Sequence, residues 1–122
     1  MRINMPIKVV YIDDEEMLCQ MFKEYLQSDE IDLAVFTDEE SGIAYCNNNN
    51  PELIFIDYRL KKQNGTDVAK AITCESIKVL ITGELDVAMN ACFTDKIDKP
   101  YRLSDIKNFI TATAAMKSLK SS

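Results

Sequence analysis

The chain contains no histidine. That absence removes imidazole acid–base catalysis, serine–histidine triads and imidazole metal sites together. Any chemistry must come from carboxylates, lysine, hydroxyls or thiols. The four cysteines, Cys19, Cys46, Cys74 and Cys92, form no CxxC pair; they read as reduced core thiols of a cytoplasmic protein rather than disulfides or zinc ligands. Positive charge is also scarce, with 14 Lys and Arg against 20 Asp and Glu and a net charge of −6. A chain of that sign is repelled by nucleic-acid phosphates and by anionic membrane surfaces, so neither is an expected partner. No apolar run approaches the roughly 20 residues that span a bilayer. The opening Met1-Arg2-Ile3-Asn4-Met5-Pro6 lacks the apolar stretch of a secretory signal. Internal repeats and long linkers are missing as well.

What is present is an ordinary globular composition, 47% hydrophobic and 28% charged over 122 residues. That length fits a single domain over 1–122, with a core from about 7 to 117. Apolar runs and helical periodicities alternate along it. Ile7 to Ile12 is a β-branched run ending in Asp13-Asp14 and reads as a buried strand. Met17, Leu18, Met21, Phe22, Tyr25 and Leu26 recur at helical spacing, with Met17, Met21 and Met116 taken as packing residues. Leu33 to Phe36 is a second strand, and Thr37 with Glu40 fits a capping box for a second helix. Asn47 to Pro51 is a polar breaker. Leu53 to Ile56 is a third strand ending at Asp57, and Gly65 opens a helix containing Val68, Ala71 and Ile72. Ile77 to Ile81 is a fourth strand ending at Thr82-Gly83. A short helical stretch is expected near Val87 to Cys92 and a weak strand around Lys96-Ile97, followed by Lys99-Pro100. Ser104 is positioned to cap a last helix carrying Ile106, Phe109, Ile110 and Thr113.

Strand–helix alternation repeated five times predicts an α/β doubly wound parallel sheet with helices on both faces. Asp13, Asp14, Asp57, Thr82 and Lys99 each fall at or just beyond the carboxyl end of a strand, the edge where open α/β sheets bind ligands. Three converging carboxylates repel one another. One lysine and one divalent cation offset that charge, and hard oxygen donors at an open site suit Mg²⁺. With the charge offset, Asp57 can act as a nucleophile toward phosphorus, giving an acyl phosphate, with Thr82 and Lys99 contacting the transferred group.

An acidic pair after strand one, Asp after strand three, Thr-Gly after strand four and Lys-Pro after strand five together resemble the receiver domain of two-component response regulators. The resemblance runs from about Lys8 to Met116. It implies the flavodoxin-like (CheY-like) strand order 2-1-3-4-5. It implies a phosphoryl group received on Asp57 from the phospho-histidine of a histidine kinase or phosphotransfer protein, and output by altered protein contacts. In this family such a chain is a phosphoacceptor signalling domain rather than an enzyme, at most catalysing its own phosphoryl transfer and dephosphorylation. Mg²⁺ would be held by Asp14 and Asp57, by the backbone carbonyl of Arg59, and by Asp13 through water. The Lys99–Pro100 bond is expected to be cis, which costs only about 0.5–1 kcal/mol at an X–Pro bond.

Three departures from the family pattern stand out. The stretch between Thr82 and Lys99 is shorter by roughly one helical turn. Ala91-Cys92-Phe93-Thr94 replaces a Gly-Ala, and Lys96 takes the place of an aromatic that would swing inward on activation. Lys96 reads as a solvated charge protecting an edge strand, or as loss of aromatic-switch output. Arg59 and Glu84, two residues past Asp57 and Thr82, either pair over the site and lengthen the phosphorylated lifetime or are two exposed charges worth under about 1 kcal/mol. Tyr58 and Tyr101 line the site.

Rival readings account for less. Asp13-Asp14 as mere helix-capping carboxylates leaves Asp57, Thr82 and Lys99 without a role. A haloacid-dehalogenase-type phosphatase needs an Asp two residues after Asp13, where Glu15 stands, and a late acidic pair, for which Asp98 is the lone candidate. A flavodoxin loop would be repelled by Asp13 to Glu16. A receiver-like binding module working without phosphorylation is the remaining alternative. In 122 residues there is no room for an output domain, so the expectation is a stand-alone receiver or one domain of a longer protein, with an unknown downstream protein and a weak dimer among its partners.

Overall fold

The computed structural model describes residues 5–60, 62–83 and 93–121, with side chains as far as Met116. Among the described residues there are five strands and four helices: β1 (Ile7–Ile12), α1 (Glu16–Leu26), β2 (Ile31–Phe36), α2 (Glu39–Asn49), β3 (Leu53–Asp57), α3 (Gly65–Ala71), β4 (Ile77–Thr82), β5 (Asp95–Asp98) and α4 (Leu103–Ser121). The strands are parallel and lie in the order β2-β1-β3-β4-β5, as the alternation and the family resemblance predict. The expected helical stretch near Val87 to Cys92, and with it the shortened segment before β5, lies outside the described residues.

Period-two alternation along the central strands divides the core into two layers. Val9, Tyr11, Phe55 and Ile81 face α1 and α4, where they meet Phe22, Leu26, Ile106 and Ile110. Val10, Ile12, Ile54, Ile56 and Leu80 face the other way, toward Cys46 of α2 and Val68 and Ala69 of α3. Every residue of β3 is buried, as a central strand covered on both faces requires. Gly42 lets α2 close on β1, since a Cβ there would stand 2.8 Å from Ile12 Cδ1.

Several local expectations are corrected. The α2 cap is Asp38, not Thr37; its carboxylate accepts from the Ser41 N–H at 2.9 Å, because a carboxylate one residue later serves the same orphan donor. Ser104 lies inside the first turn of α4 rather than capping it. There Asp105 reaches back to accept from the Arg102 N–H at 3.1 Å. Met17, Met21 and Met116 are 73%, 43% and 61% exposed and do not pack in the core. On α1 the buried face is taken by Cys19, Phe22 and Leu26, which turns Met17, Met21 and Tyr25 to the opposite side.

Candidate phosphoryl-acceptor site

The carboxyl ends of β1, β3 and β4 and the segment after β5 bring the polar residues together. Asp57 closes β3 with a side chain 5% exposed, and Lys99 Nζ lies 2.7 Å from its Oδ1. Lys99 is placed by its own backbone, whose N–H donates to the Thr82 carbonyl at 2.8 Å and so continues the β4–β5 ladder past Asp98. Thr82 is buried at the end of β4. Asp13, Asp14 and Asp57 each offer a carboxylate oxygen, and these oxygens lie within 4.8 Å of one another. The Lys99–Pro100 bond is cis.

The electrostatics follow from burial. Desolvation pushes the Asp57 carboxyl above its ordinary range, and the close Lys99 ammonium and the Arg59 N–H only partly oppose it. Desolvation also raises Asp13, to about 6, against donors from Tyr11 and the Glu15 N–H. Burial would lower Lys99, but Asp57 and Asp13 outweigh it and hold the ammonium above its usual value. Oδ1 of Asp57 receives no well-directed hydrogen bond despite the close ammonium. Three carboxylates against one ammonium leave a local excess of two negative charges when all are ionised. That hard-oxygen donor set, opening at the sheet edge, fits a Mg²⁺ ion.

The loop after β3 is fixed from two sides. Gly65 opens α3 under Asp57; a Cβ there would meet the Asp57 carbonyl at 2.8 Å. Glu39, buried in the first turn of α2, accepts from the backbone N–H groups of Lys62 at 2.8 Å and Gln63 at 3.1 Å. Neither this role of Glu39 nor the buried hydroxyl of Tyr11, which donates to Asp13 Oδ2, is anticipated above. Glu39 looks like an ordinary first-turn acid, and only the tertiary fold reveals its partners. Tyr11 does leave a signal, because residues two apart share a strand face. Arg59 is exposed, and its backbone bridges to Asn64; Glu84, its expected partner, lies outside the described residues. Tyr101 is half-buried edge-on to Phe22, with centroids 6.1 Å apart, and borders an open apolar cleft of about 500 Å³ beside Lys99. Tyr58 packs against the α2–α3 side of the core. Lys96 sits half-buried on edge strand β5, 3.4 Å from Asp98 Oδ1.

A parallel 2-1-3-4-5 sheet with an acidic trio and a lysine at its carboxyl edge places this chain among doubly wound α/β modules with a polar site at the ligand-binding edge. Comparison with known proteins makes this specific. Residues 9–111 match the family model described as the response regulator receiver domain, and the chain belongs to that family. It is 24% identical over 106 residues to the DNA-binding response regulator MtrA of Mycobacterium tuberculosis, covering 81% of this chain and 46% of that protein. It is 26% identical over 113 residues to hybrid signal transduction histidine kinase C of Dictyostelium discoideum, covering 80% of this chain and 9% of that protein. The chain thus spans about half the length, or less, of these curated relatives. Among solved structures, a CheY-like receiver domain from Methanospirillum hungatei superposes with a TM-score of 0.83 at 20% identity, covering 94% of this chain and 98% of that one. A receiver domain from Clostridium thermocellum gives 0.78 at 24% identity, covering 93% and 98%. These likenesses carry the fold.

Proposed function

We propose that this receiver domain accepts a phosphoryl group on Asp57 from the phospho-histidine of a kinase or phosphotransfer protein in the cytoplasm, and signals through changed protein contacts. The observation that carries this reading is the Asp57 carboxylate, buried at the end of β3, paired with Lys99 at 2.7 Å and grouped with Asp13 and Asp14. An Asp57 oxygen attacks phosphorus, the P–N bond to the donor imidazole breaks, and a P–O bond forms. Lys99 holds the charge of the transferred oxygens, and Thr82 donates to one of them. Asp14, Asp57 and the Arg59 carbonyl would hold Mg²⁺, with Asp13 acting through water. When bound, that ion offsets the negative charge that otherwise keeps a phosphate away from a carboxylate. With Lys96 at the aromatic position and ion-paired to Asp98, output is proposed to use a surface other than the aromatic-switch face.

Incubation with acetyl phosphate and Mg²⁺, followed by intact-mass measurement, tests the reading. One added phosphoryl group, lost in Asp57→Asn and with EDTA, is the expected result. No addition from acetyl phosphate or from a phosphorylated histidine phosphotransfer protein, together with no Mg²⁺ binding by titration, would reject it in favour of a binding module that works without phosphorylation.

A further inference from the structure

Strand β1 carries one polar-tipped residue inside an otherwise aliphatic buried run. Tyr11 is fully buried. Its ring lies flat on Phe22, with centroids 3.6 Å apart and planes 2° from parallel, and Phe22 is held in turn by Tyr101. With the ring clamped, the hydroxyl donates to Asp13 Oδ2, and the Tyr101 hydroxyl is its other polar neighbour. The rest of Asp13 is equally engaged. Oδ1 accepts from the Glu15 N–H at 3.0 Å, the Asp13 N–H donates to the Phe36 carbonyl at 3.0 Å, and its carbonyl accepts from Cys19 Sγ at 3.2 Å. Asp13 is therefore a fixed carboxylate, and Tyr11 is the side chain that fixes its second oxygen.

We propose that Tyr11 is a positioning residue of the cation site, holding Asp13 so that the site discriminates in favour of Mg²⁺ over the larger Ca²⁺. The inference rests on the reading of Asp13, Asp14 and Asp57 as that site. An oxygen that already accepts one hydrogen bond keeps a lone pair for an ion-bound water, which suits the strongly hydrated, octahedral Mg²⁺. Ca²⁺ gains from carboxylates free to rotate into bidentate contact, and a carboxylate pinned at both oxygens cannot rotate. An aliphatic residue at position 11 would leave Oδ2 facing an apolar layer without its donor.

Equilibrium titrations of the full chain with Mg²⁺ and with Ca²⁺, comparing the parent with Tyr11→Phe, test this. Phenylalanine keeps the stack on Phe22 and deletes only the hydroxyl. The expected result is a Mg²⁺ affinity lower by about 10-fold, the lower end of what loss of an outer-shell partner costs, with a smaller loss for Ca²⁺, so that discrimination narrows. An unchanged Mg²⁺ affinity, or equal losses for both ions, would overturn the proposal. A second readout does not depend on the variant folding. In the parent, Mg²⁺ should perturb the near-ultraviolet tyrosine absorption, and the perturbation should survive Tyr58→Phe, which leaves Tyr11 and its partners in place. A parent that binds Mg²⁺ without that signal overturns the role of Tyr11 alone. A parent that binds no Mg²⁺ removes the cation reading itself, and this inference with it.

Discussion

Lys99 and Asp57 show how one contact sets the character of the site. The carboxylate is nearly closed off from water, whereas the lysine side chain is 36% exposed, so the two partners do not contribute equally. Removing the ammonium leaves a buried charge uncompensated, a change that costs about 3–5 kcal/mol for a fully enclosed pair and less where one partner is solvated. Lys99→Ala is therefore expected to lower stability by about 1–3 kcal/mol in urea melts at neutral pH, and to reduce phosphoryl uptake from acetyl phosphate. At this scale Asp13, Asp14, Asp57 and Thr82 were legible because each ends or follows an apolar run, Lys99 because it follows the short strand around Lys96-Ile97, and strand ends in a parallel sheet share one edge. Glu39 was not, and Tyr11 was legible only through its spacing, two residues before Asp13. A tyrosine is an ordinary strand former, and a glutamate in a first helical turn is ordinary too. What distinguishes them is a partner fixed by tertiary packing, Phe22 for the ring of Tyr11 and the loop amides of Lys62 and Gln63 for Glu39.

Elements position the site through their ends. The start of α2 does so twice. Asp38 caps the helix, and Glu39 one residue later anchors the loop that follows Asp57. Glu39→Ala strips two N–H groups of their acceptor and should cost about 1–3 kcal/mol. Faster amide exchange at Lys62 and Gln63, ahead of the rest of the sheet, would show that the loss is local. Asp38 behaves differently with pH. The Ser41 side chain and N–H hold its carboxyl below the ordinary value. Its stabilising contribution is therefore present above the unfolded-state pKa and is lost as pH falls through the lower folded-state value. Asp38→Asn should flatten that part of the acid melting profile, and a profile identical to the parent's would show that the cap does not titrate with folding. Element types followed from periodicity, but caps shifted by a residue because Thr37, Asp38 and Ser104 are all competent N-cap residues and sequence spacing alone does not choose among them. The exposed methionines of α1 have a similar origin. Six apolar residues cover more of the helix than the sheet can bury, and the backbone phase set by Phe22 and Leu26 decides which stay outside.

Across the whole molecule the carboxyl edge concentrates negative charge in a chain already at −6. A cation that binds the folded state and not the unfolded chain stabilises it by mass action. At 100 times its dissociation constant Mg²⁺ is expected to add about 2.7 kcal/mol, which for a domain of this size raises the melting midpoint by roughly 10 °C. Asp57→Asn should shrink that gain, and a midpoint indifferent to Mg²⁺ in the parent would count against the cation site. The doubly wound architecture was the most legible property of all, because five alternations of short apolar runs and period-3.6 faces admit few topologies.

The lysine that pairs with Asp57 arrives from the segment after β5, the last strand to be made and the edge of the sheet. During synthesis Asp57 leaves the ribosome well before its counter-charge does. A nascent chain that has docked β1 and β3 already gathers the three carboxylates but has no ammonium to set against them. On the phosphoryl-acceptor reading proposed above, a chain ending before Lys99 should take up phosphoryl groups less readily than finished copies, as Lys99→Ala is expected to.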